Sequence, residues 1–186
     1  FIIIVGGGQP ARDYQAAASK LGVHGALEKD WIGIQTTRTN AYLLKAIFGK
    51  LADPMVLDER YKRKAVKFPI TIACGWKPGS STDYDAVLLA QDFKIAEIVI
   101  LGKPEYVYDK DPGRFKNAKA LKKISWREYK RLIPQKWSPG FRAPVDPVAA
   151  RVAEKFKKTC FILGGKNLKN FENLLEGRNF RGTVIC

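Results

Sequence analysis

Short apolar runs alternate along the chain with segments of helical spacing, and polar or glycine-rich turns separate them. Residues 1–5, an aromatic and four aliphatics, read as a buried strand that stops at Gly6, Gly7 and Gly8. A helix is expected over 11–21, with Tyr14, Ala17, Ala18 and Leu21 on one face. The segment Asp30-Trp31-Ile32-Gly33-Ile34 precedes a helix over 36–48, whose apolar positions are Ala41, Leu43, Leu44 and Ile47. A short strand over 54–57 and a polar connection over 58–67 that could form a helix lead to a second buried strand, 68–74. A helix over 85–91, a strand over 96–101, a turn over 102–105 and a hairpin with its loop over 106–112 follow. Ser125-Trp126-Arg127-Glu128 is a capping box opening a helix to about residue 133, and 134–144 is a Pro- and Gly-interrupted loop. Asp146 caps a further helix with Pro147 in its first turn and Val148, Ala149, Val152, Ala153 and Phe156 on its buried face. A strand over 159–163, a helix over 167–175 and a strand over 182–185 complete the pattern. Such alternation predicts an α/β domain with a mostly parallel sheet covered on both faces.

Composition supports this reading. The chain has 186 residues, 46% hydrophobic and 27% charged, enough for a single globular domain over 1–186. No apolar run is long enough to span a membrane, and the N-terminus lacks the basic and small-residue flanks of a signal peptide. The chain starts within a core-strand pattern and has Met55 as its single methionine, so an upstream segment is expected. Cys74, Cys160 and Cys186 are too few and too scattered for a disulfide framework or a zinc site, which points to a reducing, cytoplasmic setting. His24 is expected on a surface loop. The net charge of +15 attracts anionic substrates. Neither basic concentration, 60–64 or 122–131, has the glycine and aromatic pattern of an RNA platform, so nucleic acid is not an expected partner.

The chemistry concentrates in three turns that follow strands. Gly6, Gly7 and Gly8 before a helix can hold a phosphate on backbone amides, or can serve close strand–helix packing. Arg12, a turn into that helix, can add charge-assisted bonds to the same anion. The second turn, Gly75-Trp76-Lys77-Pro78-Gly79-Ser80-Ser81-Thr82-Asp83, offers glycines, hydroxyls and a first-turn carboxylate at a helix N-terminus. It suits an anion beside a metal or proton-transfer group, or it is an ordinary cap by Thr82 or Asp83. Asp30 can accept from a ribose diol or cap a helix. In the third turn Tyr108 could stack on a base while Lys103, Lys110 and Asp111 reach phosphate or ribose; a plain surface turn is the alternative. In a parallel α/β sheet the three turns are expected to meet at one rim.

The series GGGQPAR, DWIGIQTTRTNA, GWKPGSSTDYDAVLLA, YVYDKDP, DPVAA and GTVI resembles the uridylate (UMP) kinases of the amino-acid-kinase fold, chiefly the archaeal type, over nearly the whole chain. The resemblance implies a three-layer αβα sandwich, usually hexameric, that transfers the γ-phosphoryl group of ATP to UMP with Mg²⁺. It places Gly7 against the UMP phosphate, Gly8 and Arg12 between the two nucleotides, and Asp30 on the UMP ribose. Trp76, Lys77, Pro78, Gly79, Ser80, Ser81 and Thr82 wrap UMP, and Asp83 stands beside the transferring group. Tyr108 and Asp111 fall on the ATP side. No dedicated protein metal cage is implied. Two departures are seen. The family's first strand and its Gly-Gly-Ser-type loop have no counterpart, so the chain is expected to bind UMP weakly and ATP less well still, and to be a poor or dead kinase. Lys103, Pro104 and Glu105 stand where the family has Asn-x-Asp. The rival readings are a sister kinase of the same fold and a non-catalytic nucleotide or RNA binder.

Overall fold

The computed structural model describes residues 1–136 and 143–186; part of the expected loop over 134–144 lies outside the described residues. The chain divides into two compact units, Phe1–Leu89 and Ala90–Cys186.

In the first unit β1 (Ile2–Ile4) pairs in parallel with β2 (Thr71–Ala73), with Ile3 opposite Ile72. Three consecutive β-branched residues suit the extended chain of β1. β2 is buried throughout, the mark of a strand covered on both faces. The core joins Ala41, Val56, Ile70, Ile72 and Cys74 with Ile3, Val5, Leu44 and Phe48. Helix α1 (Gly8–Lys20) starts directly after the glycine turn and packs on α2 (Ala26–Phe48), a helix of 23 residues. α2 therefore begins well before residue 36, and Asp30 lies inside it rather than capping it. The packed side of α1 carries the small residues Ala11 and Ala18, while Tyr14 and Leu21 face solvent, contrary to the expected face. Close approach explains the choice: a side chain on Gly33 of α2 would come within 2.9 Å of the Gln15 amide.

The expected strand over 54–57 is reduced to two parallel bridges, Ala52 to Ile70 and Leu57 to Ala73. The buried Asp53 turns the chain between them, accepting from the Met55 N–H at 2.9 Å and pairing with Arg63, and Pro54 has no N–H for a ladder. Residues 58–67 form turns instead of a helix, with Tyr61 at φ 65°, outside helical space. Helix α3 (Thr82–Asp92) starts three residues earlier than expected.

The second unit holds a four-stranded sheet in the order β3, β7, β8, β6. β3 (Glu97–Gly102) and β7 (Thr159–Gly164) run parallel through six residue pairs. β8 (Thr183–Ile185) is antiparallel to β7 and parallel to β6 (Lys123–Ile124). The expected hairpin is a two-stranded antiparallel ribbon of β4 (Val107–Tyr108) and β5 (Ala120–Leu121). α4 (Trp126–Leu132) opens with the reciprocal Ser125–Glu128 capping box. α5 (Pro147–Lys155) opens with the Asp146 carboxylate on the amides of Val148 and Ala149. α6 (Leu168–Leu175) is capped by Asn167. Trp126 and Tyr129 meet edge to face, and the Trp126 indole donates to Lys158 O at 2.8 Å. The buried Lys158 ammonium donates to Ile95 O at 2.7 Å, so its burial is compensated by hydrogen bonding.

Candidate active site

In the first unit the inner face of α2 holds both glycine-bearing turns. Asp30 accepts the Gly79 N–H at 2.7 Å, which fixes the tip of the loop after β2. Gly79 sits at φ 78°, a conformation that glycine adopts without cost. Two turns further along α2, the Thr37 hydroxyl donates to Ile34 O at 2.7 Å and accepts the Gly75 N–H at 2.8 Å, which fixes the start of the loop. Three residues on, the Asn40 amide donates to Gly6 O at 2.9 Å and to Gly7 O at 3.2 Å.

The glycine turn serves packing and leaves donors for an anion. A Cβ on Gly7 would lie 2.6 Å from Ala11 Cβ and 3.4 Å from Gly33 O, so no side chain fits. Gly8 has φ 63°. α1 has no side-chain cap and no acid in its first turn, so its N-terminal amides keep the positive end of the dipole open to an anion. A Cβ on Gly6 would lie 3.8 Å from the Thr82 hydroxyl. Thr82 therefore adjoins the glycine turn, and two of the three predicted turns come together. The third lies in the second unit.

The cap of α3 is Ser81, not Thr82 or Asp83: its hydroxyl accepts the Tyr84 N–H at 3.0 Å. Thr82 and Asp83 follow the cap, half-buried in the first turn. Ser80 is tied down by the fully buried Asp85, 2.5 Å away. Trp76 is buried, and Lys77 is exposed beside the half-buried Pro78. Arg12 is exposed and held by Gln9 at 3.0 and 3.1 Å, and Gln9 in turn donates to Asp13. Cys74, under the loop, has its thiol pushed up to about 11 by burial, so it is a neutral packing group at physiological pH.

In the second unit Tyr108 lies in β4, half-buried, with its ring edge-on to Tyr106 at 6.3 Å. The amide just before it, Val107 N–H, donates to the Thr183 hydroxyl at 2.8 Å, and that hydroxyl donates to Leu121 O at 2.5 Å. One buried threonine thus joins β8 to both strands of the ribbon. Gly182 precedes it because a Cβ there would fall 2.4 Å from Ile162 O. Asp111 accepts the Gly113 N–H at 2.8 Å and pairs with Arg114, closing the turn after Tyr108. Lys110 stands over the Phe115 ring at 5.5 Å, and Lys103 is exposed. Glu105 pairs with Arg181 at 3.0 Å, and Tyr106 and Glu105 hold that guanidinium still more firmly protonated. A cavity of about 370 Å³, lined by Ser125, Trp126, Arg127, Glu154, Lys157 and Thr159 among others, lies at the first residue of β7 and gathers no predicted site residue.

The sequence reading missed Thr37, Asn40, Asp85 and Thr183. The first two carry a signal in retrospect: polar residues seven and ten positions after Asp30 recur on one side of the same helix.

The pattern of the amino acid kinase family matches residues 1–164. The uridylate kinase of Pyrococcus abyssi is 34% identical over 186 residues, 98% of this chain and 82% of that protein. The uridylate kinase of Thermococcus kodakarensis is 35% identical over 188 residues, with the same coverage. The crystal structure of uridylate kinase from Archaeoglobus fulgidus superposes with a TM-score of 0.85 at 28% identity, covering 100% of this chain and 84% of that one. The UMP kinase structure from Bacillus anthracis, at 20% identity and a TM-score of 0.75, shares the fold. No helix among the described residues is long and apolar enough to cross a membrane. The chain belongs to the amino acid kinase family, among the uridylate kinases.

Proposed function

We propose that the chain transfers the γ-phosphoryl group of ATP to UMP, giving UDP. The observation that carries this reading is the relation to uridylate kinases over 98% of the chain, combined with two loops that one helix holds together at the acceptor-side positions. Asp30 is half-engaged: Oδ2 takes the Gly79 amide, and the carboxylate keeps acceptor capacity for a ribose hydroxyl. The phosphate of UMP is received by the amides around Gly7 and Gly8 and by Thr82. Arg12, exposed and held by Gln9, neutralises charge on the group in flight. Asp83 orients that group and the ion that travels with it. Phosphoryl transfer asks for positioning and charge stabilisation, which amide-rich turns supply.

ATP is assigned to the second unit, through Tyr108 toward the base, Asp111 toward ribose, and Lys103 and Lys110 toward phosphate. Charge supports the assignment: this unit carries 21 of the 33 Lys and Arg residues but 10 of the 18 Asp and Glu, and it receives the more highly charged nucleotide. Mg²⁺ enters as Mg·ATP.

The outer face of α2 supports self-association. Trp31, Tyr42 and Leu43 are exposed there, with Leu43 at 62%, and Leu27 and Ile47 are exposed at its margins. The helix begins with Glu28 and ends with Lys45, so antiparallel pairing of two copies sets acidic ends against basic ends. We assign this face to a homo-oligomer contact on the way to a hexamer. Cys74, Cys160 and Cys186 stand outside any disulfide, which fits a cytoplasmic enzyme.

The test is calorimetric titration with UMP, followed by a coupled assay for UDP with Mg·ATP. Saturable binding of one UMP per chain and UDP formation are expected. A chain that ignores UMP yet binds unrelated RNA with a steep salt dependence overturns the reading in favour of a non-catalytic binder.

A further inference from the structure

We infer that Asn40 is a positioning residue for the acceptor phosphate, an inference that rests on the UMP kinase reading. Its side-chain amide donates to two successive carbonyls, Gly6 O and Gly7 O. A peptide plane is rigid, and its C=O and the following N–H point in opposite directions. With both carbonyls drawn toward α2, the amides of Gly7 and Gly8 are turned the other way, away from Asn40. Glycine alone does not hold such an arrangement. Gly8 is at φ 63°, and an unsubstituted turn has other backbone states open to it. The second bond matters because Gly7 O already accepts the Ala11 N–H at 3.3 Å, a long helical bond at the start of α1. Asn40 supplements it and locks the junction of turn and helix.

The position is built rather than incidental. Asn40 is anchored on a helix that also holds the facing loop, through Asp30 on Gly79 and Thr37 on Gly75. Three polar side chains from one rigid element thus set the spacing between the phosphate turn and the nucleotide loop. Asn40 acts on the turn that meets the phosphate, whereas Asp30 acts on the loop tip. Its loss should therefore be felt by the phosphate of the ligand and not by the nucleoside.

The experiment compares UMP and uridine binding by calorimetry, with uridine measured by displacement, in the parent chain and in Asn40→Asp and Asn40→Ala. Aspartate keeps the shape but sets an acceptor against two carbonyls and a negative charge near the phosphate. Asn40→Ala removes the donor without adding charge. We expect UMP affinity to fall about tenfold in Asn40→Ala and further in Asn40→Asp, with uridine affinity unchanged in both. Equal losses for UMP and uridine, or UMP affinity unchanged in a variant that keeps the parent melting temperature, overturn the inference. A parent chain that binds neither ligand overturns the UMP kinase reading and this inference with it. If Asn40→Asp does not fold, Asn40→Ala decides.

Discussion

The two units hold the segments proposed to bind nucleotide by different means. In Phe1–Leu89 the sheet among the described residues is only two strands, and the loops are pinned one by one by side chains of α2: Asp30, Thr37 and Asn40. In Ala90–Cys186 the donor-side segment is woven into a strand ribbon, and a single buried hydroxyl, Thr183, ties that ribbon to β8. Point contacts can be removed singly while the fold survives, because each serves one loop. A contact inside a ladder serves binding and stability together. The acceptor side should therefore lose affinity without losing stability, and the donor side should lose both.

The largest effect is expected at Asp30. Asp30→Ala removes the anchor of Gly79 and the ribose acceptor at once, and charged hydrogen bonds are each worth about 1.5–3 kcal/mol. UMP affinity should fall about a hundredfold, with ATP-analogue affinity and melting temperature held. Parallel losses for the two nucleotides would end the proposed division of labour. Next comes Thr183→Val, which leaves the buried Val107 N–H and Leu121 O without their partner. Mg·ATP-analogue affinity should weaken about tenfold and stability should drop by about 1–3 kcal/mol, while UMP binding is retained. Thr183→Ser should restore both, and failure of the serine to do so would assign the effect to the methyl group.

A smaller change is expected at Ser125, where Ser125→Ala deletes the cap of α4 and should cost about 1 kcal/mol in denaturant unfolding, with no change in affinity for either nucleotide. The smallest is a pH effect at Glu128, whose carboxyl is held below its ordinary 4.5 chiefly by the Ser125 hydroxyl and amide. A depressed pKa means that its contribution is present above that ordinary value and is lost as pH falls through the folded value. The difference in melting temperature between the parent chain and Glu128→Gln should then shrink on acidification from pH 6 to 3. A difference that stays constant would show that the charge of Glu128 plays no part in the cap.

Much of this was readable from residue order, and the exceptions share a cause. Strand–turn–helix alternation, the Ser125–Glu128 box and the Asp146–Pro147 start are local signals, and the structure reproduces them. The glycine turn and the Gly75–Asp83 segment were placed correctly beside each other through Gly6 and Thr82. The start of α2 was hidden because Gly33 looks like a break. It is tolerated within the helix because Gln15 of α1 comes so close there. Periodicity marks Ala41, Leu43, Leu44 and Ile47 alike as apolar positions, yet Ala41 is buried while Leu43 and Ile47 are exposed, since apolar spacing does not say what will cover a face. Thr37 and Asn40 were passed over for the opposite reason: polar residues on the inner face look like surface until the loops they hold are in place.

Helix α2 thus carries apolar residues on two sides: Ile34, Ala41, Leu44 and Phe48 pack inward beside the polar anchors, while Trp31, Tyr42 and Leu43 lie exposed. Under the self-association proposed above, mass action links subunit association to order at the turns proposed to bind UMP, because whatever stiffens the outer face of α2 also stiffens the element that carries Asp30, Thr37 and Asn40. Specific activity should not be a constant of the molecule. It should decline on dilution, and UMP, by favouring the ordered helix, should bring dispersed copies back together.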